Sequence, residues 1–107
     1  METIHHPDTQ ELRLSSVLAA LSDPFRLSIV RRLAEAEDGI RCSGLGGEAQ
    51  KTKLSYHLRI LREAGVTWTR AEGTMRLVSL RRDDLEARFP GLLDVVLNAR
   101  QEAADPL

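Results

Sequence analysis

A chain of 107 residues with a formal net charge of −1 has room for one domain with a modest core. A single cysteine excludes an internal disulfide framework, no apolar run approaches a membrane span, and the opening residues lack a charged-then-apolar signal pattern. We therefore expect one cytoplasmic domain over residues 1–107, without membrane association.

The opening segment, METIHHPDTQ, is polar and carries a proline, so residues 1–9 are expected to be flexible. His5 and His6, close to Asp8, are the candidate metal ligands, for Ni²⁺ or Zn²⁺ with a carboxylate from a partner; a terminal histidine pair is ordinarily idle. No resident cofactor is expected. Leu14, Val17, Leu18 and Leu21 then form a helical stripe, which predicts a first helix over residues 10–21, starting near Thr9. Ser22-Asp23-Pro24 is a break and restart, with a capping Asp followed by Pro where the first helical N–H has no partner anyway. A second helix follows, with Leu27, Ile29, Val30, Leu33 and Ala34 inward and Arg26, Arg31, Arg32 and Glu35 on its rim; Glu37-Asp38-Gly39 ends it.

Residues 40–50, IRCSGLGGEAQ, hold three glycines and predict no more than a short irregular turn near Cys42–Leu45. Cys42 is the candidate sensor, because a neighbouring Arg41 and a helix start would lower its thiol pKa; the plainer alternative is a small buried core residue.

Lys51–Ala64 reads as the recognition helix. Leu54, Leu58 and Leu61 make one apolar stripe, and Gly65 stands where a left-handed residue would stop the helix. Lys51, Thr52, Lys53, Ser55, Tyr56 and Arg59 decorate its first half with donors and hydroxyls and no acid, as major-groove readers require. His57, one position before an inward leucine, is expected to be partly buried and hydrogen-bonded locally, with a DNA-facing role as the alternative. Residues 66–80 form a wing, with strands near Val66–Arg70 and Met75–Leu80 and a Glu72-Gly73 turn flanked by Arg70 and Arg76, which are expected on DNA. Trp68 is expected to fill the core face of the wing.

In the last segment, residues 83–103, Asp83 is expected to cap a short helix over 84–88 and Pro90 to open another. Leu85, Phe89, Leu92, Leu93, Val96 and Leu97 form a wide apolar face. Together with Val17, Leu18 and Leu21 it is a candidate dimer seam.

The near-neutral sum conceals a segregation of charge. Residues 51–82 hold eight basic side chains (Lys51, Lys53, Arg59, Arg62, Arg70, Arg76, Arg81, Arg82) against two acids (Glu63, Glu72). Residues 1–50 hold five against eight, and residues 83–107 two against six. A partner responds to the local field, and that field is positive where the reader and wing lie.

The Asp-Pro-x-Arg-Leu start of the second helix, the Ser-x-His-Leu-x-x-Leu-Arg-x-Ala-Gly reader and the Glu-Gly wing turn resemble the ArsR (arsenic-repressor) family of bacterial winged-helix regulators over about residues 14–82. The resemblance implies a mostly α fold with a small β-hairpin (α+β), a winged helix-turn-helix that dimerises through its first and last helices. It also implies a repressor released from its operator by an inducer, whether redox, metal or small molecule. Two features depart from the family: the third helix is shortened by Ser43-Gly44-Leu45-Gly46-Gly47, and the metal sites are missing. Cys42 has no paired cysteine, and Asp94 is followed by Val95 and Val96 rather than by the Asp-x-His ligands.

The expected function is thus sequence-specific binding of double-stranded DNA by a homodimer, at an imperfect inverted repeat, in order to repress transcription. The alternative is a winged-helix module that binds protein and has no operator. The acid-free front of the recognition helix argues against it. No Ser/His/Asp set, phosphate loop or paired carboxylates suggests an enzyme.

Overall fold

The structure, a computed structural model, describes residues 4–45 and 51–99, without the side chains of Lys51 and Thr52. Among the described residues there are five α-helices: α1 (Leu14–Leu21), α2 (Pro24–Ala34), α3 (Lys51–Ala64), α4 (Arg82–Arg88) and α5 (Leu92–Asn98). Three strands, β1 (Ile40–Arg41), β2 (Thr67–Glu72) and β3 (Met75–Leu80), form an antiparallel sheet in the order β1-β3-β2. Among the described residues no helix is long and apolar enough to cross a membrane.

Local chemistry accounts for the helix ends. Asp23 Oδ2 accepts the Arg26 N–H at 3.0 Å, and Pro24 takes the first turn of α2. α3 buries Leu54, Leu58, Leu61 and Ala64, as its spacing predicts. It closes with the Val66 N–H on the Leu61 carbonyl at 2.9 Å and the Gly65 N–H on Arg62 at 3.0 Å. Gly65 has φ +86°, and a Cβ there would overlap Leu12 Cδ2. Only glycine therefore lets α3 turn into the wing against this leucine.

Glu72 faces Met75 across the hairpin, so Gly73 and Thr74 make the tip. Gly73 has φ +62° and no non-glycine residue among those described has positive φ, which is the pattern of a II′ turn with glycine leading. Glu72 therefore belongs to the strand, not to the turn. β1 adds Ile40 opposite Val78 on the far side of β3, a pairing too short for the sequence to announce.

Several expectations need correction. Thr9–Glu11 is a separate 3-10 turn, and α1 starts only at Leu14, because Leu12 leaves the helical path to enter the core. Residues 4–9, expected to be flexible, are docked: the Thr9 hydroxyl donates to Asp84 Oδ1 at 2.7 Å and His6 Nε2 accepts the Thr69 N–H at 3.0 Å. In the wing the phase is reversed. Thr67 and Thr69 face the core, while Trp68 is 39% exposed on the opposite face. Val66, which set the expected alternation, lies before the strand and is buried as the last link of the α3 closure.

The last segment is two helices. Asp83 sits inside α4, and α5 begins at Leu92, after Gly91, rather than at Pro90. Residues 100–103 of that segment lie outside the described residues. The expected seam is also largely core: Val17, Leu21, Leu85 and Leu93 are buried within the protomer. The large apolar side chains left outside are Leu14 (47% exposed) and Leu18 (46%) on α1 and Val95 (68%) on α5.

Candidate nucleic-acid interface

α3 packs its leucines inward, and its other side carries Lys53, Ser55, Tyr56 and Arg59 at the surface. Ser55, Arg59 and Arg62 recur at i, i+4 and i+7, so they share a face that turns toward the sheet. Between that face and the wing runs an open groove lined by Cys42, Ser55, Tyr56, Leu58, Arg59, Arg62, Thr69 and Arg76. No acid lines it. Lys51 and Thr52 lie in the first turn of α3, but their side chains fall outside the described residues.

The two wing arginines separate. Arg76 stands opposite Ala71, in phase with Val78 and Thr69 on the inner face, and so lines the groove. Arg70 stands opposite Leu77 on the outer face and donates to Glu72 at 2.9 Å, in an exposed pair. Arg62 was not singled out from the sequence. Its position three residues after Arg59 was the available signal, and its Nε is buried without a hydrogen-bond partner.

Other arginines in the positive segment are used inside the protomer. Arg81 is 2% exposed, donates to Asp84 Oδ2 and to the Pro7 carbonyl, each at 2.9 Å, and lies 3.8 Å from the Trp68 ring centroid. Burial raises the Asp84 carboxyl, but hydrogen bonds from Thr9 and Arg81 and the Arg81 charge outweigh it and hold the group below its ordinary value. Arg82 donates to the Ala34 carbonyl at 3.0 Å. Among the described residues the positive charge lining the groove therefore comes from Arg59, Arg62 and Arg76, with Lys53 exposed on the same helix.

His57 is partly buried, as expected, but its partner lies on another helix. Arg26 NH1 lies 2.9 Å from His57 Nδ1. A guanidinium only donates, so Nδ1 accepts and the neutral ring carries its proton on Nε2. The same guanidinium donates to Ala20 O at 2.7 Å and Ala19 O at 3.4 Å, closing the end of α1. The His57 ring centroid is 5.0 Å from that of Phe25 and 5.2 Å from that of Tyr56.

Cys42 is half-buried, and burial pushes its thiol up, opposite to the lowering expected from Arg41. His5 is exposed, whereas the His6 ring packs edge-on to Trp68 at 5.0 Å and its Nε2 is held by Thr69. Burial first, then the charges of Arg81, Arg62 and His5, lower the His6 pKa. Among the described residues no three His, Cys, Asp or Glu side chains gather as a metal site.

No protein-family model matches the chain. It is 38% identical over 84 residues to an uncharacterized HTH-type transcriptional regulator, YceK, of Bacillus subtilis (strain 168), an alignment spanning 77% of this chain and 84% of that one. Its fold matches the crystal structure of an ArsR family transcriptional regulator with a TM-score of 0.62 at 21% identity, covering 88% of this chain and 98% of the other. Both proteins are named as transcriptional regulators. This chain therefore belongs to the helix-turn-helix transcriptional regulators, and its fold is the winged helix of the ArsR type.

Proposed function

We propose that the protein is a homodimeric repressor that grips an imperfect inverted repeat with two copies of α3 and the wing, and is released by an inducer. The observation that carries this reading is the groove, where Arg59, Arg62 and Arg76 converge beside Ser55 and Tyr56 with no carboxylate among them. Lys53, Arg59, Arg62 and Arg76 hold the phosphates, with Lys51 in the same turn of helix; Thr52, Ser55 and Tyr56 meet base edges. Arg70 plays a lesser part, since it stands on the outer face of the wing, opposite Leu77. Leu14, Leu18 and Val95, exposed on α1 and α5, supply the contact between protomers. The groove cations also oppose the reading as a protein-binding module.

The test is selection from a random pool of double-stranded DNA, read together with sedimentation. The proposal requires an inverted repeat whose half-sites are about 34–36 Å apart, and a dimer at micromolar concentration. Enrichment of a single half-site or a direct repeat, or a stable monomer bound to the selected DNA, would defeat it.

A further inference from the structure

The Arg26–His57 contact spans 31 positions of sequence and joins three helices. Arg26 is rooted at one end, because its Nε and NH2 sit on the last carbonyls of α1 and its own N–H is held by Asp23. At the other end its NH1 meets His57, whose ring is wedged between Phe25 of α2 and Tyr56 of α3. Asp23 Oδ2, 4.0 Å from Nδ1, adds a second polar neighbour. The side chain of His57 is only 15% exposed, while Tyr56 beside it is among the exposed large apolar residues. A helix alone fixes a side chain only at its Cβ, and a surface tyrosine otherwise samples its rotamers freely. Here one ring edge is braced by a neighbour that is itself bonded to another helix.

We propose that Arg26 and His57 are positioning residues for sequence reading: Arg26 fixes the His57 ring, and the ring sets the direction in which Tyr56 leaves α3. The inference rests on Tyr56 facing base edges, as argued above. The base preference of the protein would then depend on a contact that no nucleotide touches.

Three variants test it against two probes, a fragment recovered by the wild type from a random pool and calf-thymus DNA, with thermal unfolding followed alongside. His57→Leu keeps bulk and removes the acceptor; it should lower the ratio of selected-fragment to calf-thymus affinity about tenfold, the scale of one base contact. His57→Asn restores an acceptor near Nδ1 and should hold the ratio within about threefold of wild type. In a Tyr56→Ala background, His57→Leu should change the ratio by less than about twofold, since the group it positions is gone. Should His57→Leu not fold, Arg26→Lys, which keeps charge but loses the forked donors, should produce the same selective loss. Equal loss on both DNAs, an unchanged ratio in His57→Leu, failure of His57→Asn to rescue, or full additivity with Tyr56→Ala each overturns the positioning role. A wild type that enriches no sequence defeats the reading of Tyr56, and this inference with it; enrichment with an indifferent His57→Leu defeats this inference alone.

Discussion

Replacing Arg76 by alanine in both protomers should distinguish positioning by charge from reading by shape. Arg59, Arg62 and Arg76 in the groove, with Lys53 exposed on the same helix, for a dimer mean about eight phosphates neutralised and a log K versus log salt slope near −7, at roughly −0.9 per phosphate. Losing Arg76 twice removes about 1.8 from that slope, equivalent to about 30-fold weaker binding at 0.15 M salt, with all sequences affected alike. Arg70→Ala should flatten the slope by less than half as much, because that guanidinium lies on the outer face of the wing. Fluorescence anisotropy at four salt concentrations, on a selected fragment and on a scrambled one, gives both quantities. Equal slopes for the two arginine variants would refute the assignment of inner and outer faces. A change in sequence preference at constant slope would mean that the wing reads bases.

Gly65→Ala should destabilise the fold by about 2–5 kcal/mol, combining about 1–2 for a left-handed L-residue with about 1–3 for overlap with the packed Leu12. In urea unfolding the Leu12→Ala double variant should be less than additive by at least about 1 kcal/mol, and strict additivity would remove the steric explanation. The lowered His6 pKa means that the unfolded chain binds that proton more readily, so His6 contributes stability in full above pH 6.5, lost as pH falls from there toward its folded value. Asp23 and Asp84, also lowered, lose their contributions only below 3.8. His6→Gln should flatten only the first step of a stability–pH profile; a step that survives it belongs to another group. Leu18→Glu with Val95→Glu should yield folded monomers in sedimentation, whereas Leu93→Glu, which buries a charge in the protomer core, should unfold the chain.

Periodicity disclosed α3 almost to the residue, because Leu54, Leu58 and Leu61 all meet core and Gly65 is a forced stop. Asp23-Pro24 likewise marked the start of α2 through purely local chemistry. What periodicity could not supply is the identity of whatever covers an apolar stripe. Val17, Leu21, Leu85 and Leu93 looked like a surplus for a partner and are consumed within one protomer. Trp68 misled for a related reason: hydrophobicity suggested the core, yet Arg81 and His6 gave the ring a folded surface of its own, and two threonines took the inner positions. The charge tally overcounted the basic segment, since Arg81 is spent on Asp84 and Pro7. The groove residues Arg59 and Arg76 were singled out from the helix and hairpin, and Arg62 could have been from its spacing after Arg59; the Arg26–His57 link needed the packing of distant elements.

The bond from Thr69 to His6 has a meaning beyond stability. β2 is an edge strand, with β3 on one side, and an edge with unpaired N–H groups is a template on which another chain can grow. The imidazole occupies one of those donors, and the segment holding it is pinned by Arg81 through Pro7 and by Asp84 through Thr9. The residues ahead of α1 thus act as a guard rail along the sheet. Clipping the chain between residues 4 and 9 should therefore uncover the Thr69 N–H on that edge, and with it a donor that another strand could use.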